Sequence, residues 1–344
     1  MANPTYLIVV GTSAGGMPAL TRLMSQLPAD LPAAVLVVQH LAPDSSAEHL
    51  RDRLARNTAL RCQVARTGDH LRAGHLYLAP PDRQLLVKDG HLLVTKGAHE
   101  NHYRPAADAL FRSAAVAYGP HVIGVVLTGM LHDGTAGLEF IKRCGGIAIV
   151  QDPRDAEYSS MPESALRNVA VDYVTPLDQM GALLHQLVHQ TPPDSTTIPE
   201  DLKLEAAIAE RVMGSTEDVE KLGTPVPLTC PSCGGSLWEV RHGKVQRFRC
   251  HTGHTFTAEA LLKSSQDLLE ETLWVALRMM EERKNLLVSM AVRGEGLLSV
   301  QQQERIEEIK QHVNRLREFL LNGAAGGVES QPQSSRPSTE TGNN

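Results

Sequence analysis

The chain has 344 residues, of which 42% are apolar and 21% charged, so it is long enough for two or three domains with ordinary hydrophobic cores. Its formal net charge of −6 argues against a protein that binds nucleic acid through bulk positive charge. We find no apolar run of membrane-spanning length and no signal peptide at the N-terminus, so we expect a cytoplasmic protein without membrane insertion.

Strand-like and helix-like segments alternate over residues 1–190. Continuous apolar runs predict strands at 6–10, 34–38, 76–78, 122–127 and 147–150. Helices are predicted from the Gly-rich turn to about 27, and at 46–56, 105–118 and 135–143. Two short strands, 84–87 and 92–94, flank Asp89-Gly90, a dipeptide typical of hairpins. The alternation predicts an α/β fold of three layers, α/β/α, with a mostly parallel sheet.

Composition divides the rest of the chain into four segments. Residues 191–225 read as a linker followed by an exposed, acidic helix at 200–222. A cysteine-rich, zinc-ribbon-like unit is predicted at 226–262, and a helical hairpin, broken near 293–296, at 263–322. The last segment, 323–344, is rich in Gly, Ser, Gln, Thr and Pro and is predicted to be disordered.

Polar residues follow three of the predicted parallel strands at their carboxyl ends. Ser13 lies in a G-x-S-x-G turn after the first strand, His40 follows the second, and Asp133 follows the strand at 122–127. Together they supply a nucleophile, a base and an orienting acid. A Gly-rich turn can instead bind phosphate, and a lone histidine or turn aspartate is often structural, but neither G-x-G-x-x-G nor Walker A is present. The order Ser, His, Asp disfavours an ordinary α/β-hydrolase.

Three of the five cysteines lie close together in the sequence, which in a reducing compartment favours metal over disulfides. Cys230-Pro-Ser-Cys233 and Cys250-His-Thr-Gly-His254 have the spacing of a zinc ribbon. We therefore expect a structural Zn²⁺ held by Cys230, Cys233, Cys250 and His254, with His251 as the alternative fourth ligand. The second Cys/His pair disfavours a redox dithiol at the first.

The motifs of the first 190 residues closely resemble the catalytic domain of CheB-type chemotaxis methylesterases. The resemblance is carried by Ile8-Val-Val-Gly-Thr-Ser-Ala-Gly-Gly16, Val37-Val-Gln-His40, Tyr77-Leu-Ala-Pro-Pro81, Arg104-Pro-Ala-Ala-Asp-Ala-Leu-Phe-Arg112, Thr128-Gly-Met-Leu-His-Asp-Gly134, Gln151-Asp-Pro153 and Ser160-Met-Pro-Glu-Ser-Ala165. It implies hydrolysis of γ-glutamyl methyl esters on chemoreceptors, and in some members deamidation of glutamine, without a cofactor for catalysis.

Carried over residue by residue, the resemblance makes Ser13 the nucleophile, His40 the base and Asp133 the acid that orients it. It also assigns oxyanion contacts to the backbone N–H groups of Ala14 and Met130. The family commonly has Gly where this chain has Leu131, which bears on the shape of that loop. Arg104 and Arg112 are candidates to bind acidic receptor helices.

The resemblance also bears on partners. Many family members carry an N-terminal receiver domain, whereas here the catalytic strands are predicted to begin at about residue 5. We therefore expect control by a partner or by the C-terminal extension, or no such control. Apolar residues at helical spacing in 263–322 predict either a helix–helix core or a surface for oligomerisation or docking of a regulatory partner. A non-catalytic adaptor that binds a receptor helix is the alternative function. Nucleic-acid binding by 226–262 is disfavoured, because that segment has only four basic against two acidic side chains.

Overall fold

The computed structural model describes residues 3–191, 197–240, 243–293 and 300–323. The chain forms two compact units, Met1–Ser264 and Ser265–Asn344. The first unit takes in the predicted catalytic segment, the acidic segment and the zinc-ribbon-like segment. Within the described residues, no helix has both the length and the apolar character that a membrane crossing requires.

A seven-stranded parallel sheet forms the centre of the first unit. Its order is β3-β4-β2-β1-β7-β8-β9, so the first strand lies in the middle. The strands are β1 Tyr6–Thr12, β2 Ala33–Gln39, β3 Arg61–Val64, β4 His75–Leu78, β7 Val122–Val126, β8 Ile147–Gln151 and β9 Tyr173–Thr175. Between β4 and β7 lies a hairpin of β5 Gln84–Lys88 and β6 His91–Thr95. The turn residues Asp89 and Gly90 have φ values of 47° and 76°, which confirms the predicted hairpin.

Six helices cover the two faces of this sheet. They are α1 Gly16–Met24, α2 Ala47–Ala55, α3 Ala107–Tyr118, α4 Thr135–Arg143, α5 Ser160–Asn168 and α6 Leu177–Val188. Alternate residues of β1 point to opposite faces: Leu7 and Val9 join the core under α3 and α4, whereas Ile8 and Val10 join the core under α1 and α6. The predicted three-layer α/β/α architecture with a mostly parallel sheet is therefore confirmed.

The predicted exposed helix at 200–222 is wrong in two respects. The segment forms two helices, α7 Glu200–Arg211 and α8 Thr216–Leu222, because Val212 ends the first at a φ of 72° and Ser215 caps the second in a capping box with Asp218. It is also not fully exposed, since α7 packs one face against α3 and buries Leu202, Glu205, Ala206 and Ile208. The predicted linker falls largely on 192–196, outside the described residues.

A second, antiparallel sheet follows α8 in the first unit. Its order is β10-β11-β12-β13, with β10 Gly223–Thr229, β11 Ser236–Val240, β12 Arg247–Cys250 and β13 Thr255–Thr257. A small core beneath it includes Leu237, Phe248 and Phe256. The predicted zinc-ribbon-like segment thus forms a compact antiparallel unit.

Five charged side chains form a buried charge cluster between α3, α7 and β12: Glu100, Arg112, Glu205, Arg247 and Arg249. Arg247 donates to both carboxylate oxygens of Glu205, at 2.9 and 3.0 Å, and Arg112 and Arg249 approach the same carboxylate at 3.7 and 3.6 Å. Arg112 also pairs with Glu100. Buried charges of one sign need partners of the other, so this cluster joins three parts of the chain.

The second unit contains a helical hairpin. Helix α9, Ala258–Arg293, begins in the first unit, and α10 spans Val300–Gly323. The hairpin has a small core in which Leu277, Ile309, Val313 and Leu320 are buried. The helical prediction for 263–322 thus agrees with the structure where residues are described. Most of the predicted break, 294–296, and the predicted tail from 324 onward lie outside those residues.

We expect Glu205→Gln to destabilise the protein by about 3–5 kcal/mol, because three buried guanidinium groups lose their shared carboxylate. The matched control is Glu200→Gln in the same helix, where an exposed pair with Lys203 contributes at most about 1 kcal/mol. Urea unfolding measures both changes. Equal losses for the two variants would contradict the importance of the cluster.

The same carboxyl predicts a dependence of stability on pH. Burial raises the pKa of Glu205, but the charges of Arg247, Arg112 and Arg249 outweigh it and lower the pKa from 4.5 to about 2. A depressed pKa stabilises the folded state above the unfolded value and loses that effect as the carboxyl is protonated. The stability difference between wild type and Glu205→Gln should therefore shrink as the pH falls from 4.5 towards 2.

Candidate active site

Ser13 lies in the turn between β1 and α1, at the carboxyl end of the central strand. Its N–H donates to the Thr128 carbonyl at 3.1 Å, which ties the turn to the end of β7. Gly15 adopts a φ of 72° just before the helix, a conformation that favours glycine. The serine is half-buried.

His40 follows β2, the neighbour of β1, and is almost fully buried. Its Nε2 lies 2.7 Å from Oδ2 of Asp133. Because an ionised carboxylate only accepts hydrogen bonds, Nε2 carries the ring proton when the histidine is neutral. Its Nδ1 is buried and has no hydrogen-bond partner among the described residues. The lone pair of the imidazole is therefore on Nδ1, the nitrogen that faces away from Asp133.

Asp133 lies in the loop before α4, and its carboxylate is fully buried against the N-terminus of α3. Its carboxylate accepts the backbone N–H groups of Ala107 at 2.6 Å and Asp108 at 3.2 Å, as well as His40 Nε2. Burial raises its pKa, but the hydrogen bond and charge of His40 and these N–H groups outweigh burial and hold the pKa below its usual value. The helix N-terminus therefore keeps Asp133 ionised and able to orient His40.

The ring of Tyr103 stacks on the imidazole of His40, with centroids 3.5 Å apart and planes inclined by 11°. Burial and the charge of Asp133 raise the pKa of Tyr103, while a hydrogen bond with the Ser13 side chain lowers it. Together these effects raise the pKa of Tyr103, so its phenol stays neutral. Tyr103 thus contacts the predicted catalytic base directly. Sequence reasoning missed it, because a single tyrosine between predicted elements carries no periodic or motif signal.

The loop after β7 brings the other predicted residues to the same edge. A side chain at Gly129 would come within 2.9 Å of Ser13 Cβ, so only glycine allows this approach. Met130, one of the predicted oxyanion donors, is exposed beside it, and Ala14, the other, follows Ser13 directly. Among the described residues, neither backbone N–H donates to another group. Leu131 adopts a φ of 69°, the left-handed region that suits the Gly common in the family.

The two arginines proposed to bind a receptor have other partners. Arg112 is buried in the charge cluster, so that prediction is wrong for Arg112. Arg104 is mostly buried and binds the carboxylate of Asp82 and the carbonyl of Gly97. A run of charges in the sequence does not reveal which of them the fold will bury.

The cysteine cluster has the geometry of a tetrahedral metal site. The ligand atoms of Cys230, Cys233, Cys250 and His254 all lie within 4.8 Å of one another, and His251 is not part of this group. Sγ of Cys250 is 3.7 Å from Sγ of Cys233 and 3.5 Å from Nδ1 of His254. Zn–S bonds of about 2.3 Å and Zn–N bonds of about 2.0 Å predict tetrahedral edges of similar length. These two edges therefore fit Zn²⁺, and the four side chains could hold it.

The first half of the chain is similar to known proteins. A family model described as CheB methylesterase matches residues 8–184. The crystal structure of the Thermotoga maritima CheB methylesterase catalytic domain matches with a TM-score of 0.51 and 33% identity, covering 53% of this chain and 98% of that one.

Curated relatives match over the same region. A Leptospira interrogans protein named putative protein-glutamate methylesterase/protein-glutamine glutaminase is 38% identical over 181 residues, 52% of this chain and 93% of the relative. A Methanosarcina mazei protein named protein-glutamate methylesterase/protein-glutamine glutaminase 2 is 37% identical over 190 residues, 53% of this chain. The match spans 52% of that second relative, so about half of its length has no counterpart in the alignment.

We expect Leu131→Gly to change the free energy of unfolding by less than about 1 kcal/mol, because relief of the left-handed backbone offsets the added freedom of the unfolded chain. Leu131→Val should instead cost about 1–2 kcal/mol, since a branched side chain tolerates positive φ poorly. The partly exposed side chain contributes little packing in either case. Thermal unfolding compares the two variants, and a valine variant as stable as the glycine variant would contradict the strain.

Proposed function

The chain belongs to the CheB methylesterase family, and from this premise we propose that it is a serine hydrolase that demethylates γ-glutamyl methyl esters. The observation that carries the proposal is His40, which binds the Asp133 carboxylate through Nε2 and has Nδ1 without a partner among the described residues, beside the serine turn. This arrangement supports proton transfer between Ser13 and His40. The names of the relatives support the same ester and, as a second reaction, deamidation of glutamine.

In the first half-reaction, Ser13 Oγ attacks the ester carbonyl while His40 Nδ1 accepts the hydroxyl proton. The resulting imidazolium is stabilised by Asp133, whose low pKa keeps it ionised. His40 then donates the proton to the methoxy oxygen, methanol leaves, and an acyl-enzyme on Ser13 remains. With a glutamine substrate, ammonia leaves in place of methanol.

In the second half-reaction, water attacks the acyl-enzyme. His40 Nδ1 accepts a proton from the water and returns it to Ser13 Oγ, which releases a glutamate side chain. The backbone N–H groups of Ala14 and Met130 would donate to the oxyanion in both tetrahedral intermediates. Each such donor lowers a barrier by about 3–4 kcal/mol in a comparable site.

The substrate we propose is a methylated chemoreceptor or a similar signalling protein in the cytoplasm. Met130, one of the proposed oxyanion donors, is about half exposed, so this part of the site is open to solvent. We assign catalysis to 1–190, with 191–225 joining it to the zinc-ribbon-like unit at 226–262. The hairpin at 263–322 is then available for self-association or a regulatory partner.

We also propose that Cys230, Cys233, Cys250 and His254 hold a structural Zn²⁺. A bound zinc would crosslink the turn after β10 to the turn between β12 and β13. Burial raises the pKa of the two remaining cysteines, Cys62 and Cys144, to about 11, so their thiols stay protonated and unreactive.

The esterase proposal predicts release of methanol from a methylated receptor by the purified full-length protein. Ser13→Ala should lower the rate at least about 10³-fold, because the nucleophile is lost. Ser25→Ala, in the exposed turn after α1, is the matched control and should keep full activity. An inactive wild type whose Ser13 also resists a fluorophosphonate probe would favour the adaptor instead.

The metal proposal predicts about one zinc per chain in protein prepared without chelators. Cys250→Ser should lower the zinc content well below half an equivalent and destabilise the first unit, whereas Cys62→Ser should retain the metal. Elemental analysis of both variants measures this. A full equivalent of zinc in Cys250→Ser would show that the ligands are assigned wrongly.

A further inference from the structure

The segment 99–104 lies between the predicted metal site and the catalytic histidine, and neither proposed role uses it. We propose that Tyr103 is a positioning residue that fixes the plane of the His40 ring, and that the metal-binding sheet holds Tyr103 in place. Catalysis would then depend on zinc, although zinc touches no reacting atom. This inference rests on the proposed esterase function and on the proposed metal.

The first step of the argument is the freedom of the His40 ring. Its only ring hydrogen bond among the described residues joins Nε2 to Asp133, and a single hydrogen bond does not by itself prevent rotation of the ring. Nδ1 must nevertheless point at Ser13 for proton transfer. The stacked ring of Tyr103, 3.5 Å away and nearly parallel, removes this rotation.

The second step is the anchoring of Tyr103 to its own segment. The N–H of Tyr103 donates to the Glu100 carbonyl at 2.8 Å, and the N–H of Glu100 donates to the Tyr103 carbonyl at 3.1 Å. The two residues between them, Asn101 and His102, have φ values of 49° and 73°. Such a conformation is costly for residues other than glycine and persists only where contacts outside the segment hold it.

Those contacts come from β13 of the second sheet. The N–H of Asn101 donates to the Thr255 carbonyl at 2.9 Å, and the N–H of Thr257 donates to Asn101 Oδ1 at 2.9 Å. The amide nitrogen of Asn101 in turn donates to Asp108 at 2.8 Å. The ring of His102 reaches the start of α9 through Ser264. The segment is thus added to the edge of the metal-binding sheet.

The third step is the position of the ligands. Cys250 is the last residue of β12, and His254 directly precedes β13, so a metal would close the turn that leads into Thr255. The N–H of Cys250 donates to the His254 carbonyl at 3.0 Å across this turn. Without the metal, three cysteines and a histidine lose their common partner, and β13 loses its fixed start. The support of Tyr103 weakens with it.

The test measures kcat and KM of the full-length protein, loaded with Zn²⁺ and after its removal by a chelator. For wild type, removal should lower kcat about tenfold with less than about a threefold change in KM, and added Zn²⁺ should restore it. Zinc-loaded Tyr103→Ala should show the same loss of kcat. Removal of zinc from this variant should then lower kcat by less than about a further threefold. Tyr103→Phe keeps the stacked ring and should stay within about threefold of wild type.

Two further variants separate positioning from folding. Asn101→Gly keeps the positive φ and removes both side-chain hydrogen bonds to β13 and Asp108, so it should lower kcat even when zinc is bound. Tyr173→Ala, on the exposed edge strand β9, is the matched control and should not change kcat. Hydrogen exchange should increase at the amides of 100–103 after removal of zinc, while those of β1 stay protected.

A zinc-free wild type with unchanged kcat and unchanged exchange at 100–103 would overturn the coupling and leave the esterase intact. A uniform rise in exchange over β1 and β7 would also overturn it, because zinc would then support the fold as a whole. If zinc-loaded wild type releases no methanol, the esterase itself fails; the coupling can then still be tested by exchange at 100–103.

Discussion

The rest of the first unit depends on the ion pairs that the carboxylate of Glu205 makes with buried arginines. It is fully buried and faces Arg112, Arg247 and Arg249, which come from α3 and β12. Burial penalises all these charges, so none is stable inside the protein without the others. The guanidinium groups of Arg112 and Arg247 also lie over the ring of Phe140, which adds favourable cation–π contact. The antiparallel sheet of β10–β13, α7 and the seven-stranded parallel sheet therefore form one compact unit.

Two neighbouring buried carboxyl groups, those of Asp133 and Asp108, have pKa values shifted in opposite directions. Asp133 accepts two backbone N–H groups and His40, and its pKa is lowered despite its burial. For Asp108, burial and the negative charge of Asp133 raise the pKa well above its usual range. The oxygens of Asp108 accept hydrogen bonds from Asn101 and Gly137. The pKa values of these two buried carboxyl groups are thus shifted in opposite directions.

Much of the fold can be predicted from local pattern, and the parts that cannot depend on contacts between distant residues. The central strands are continuous apolar runs, and Asp89-Gly90 encodes its own turn, so both were predictable. The short strands β3 and β9 lie at the sheet edges and have no such run. The burial of Glu205 and Arg112 and the stacking of Tyr103 on His40 depend on partners far away in sequence, which composition and spacing do not reveal. The motifs therefore indicated the candidate residues of the site, but not the contacts that hold those residues in place.

The strand order has a consequence for when the protein becomes functional during folding. Strand β1 pairs with β2, which follows it closely, but also with β7, more than a hundred residues further on. Ser13 and His40 come together early, whereas Asp133 arrives only when β7 docks against β1 and closes a large loop. The charge cluster needs β12, which comes later still. On the ribosome, the nascent chain therefore contains Ser13 and His40 long before Asp133 can join them.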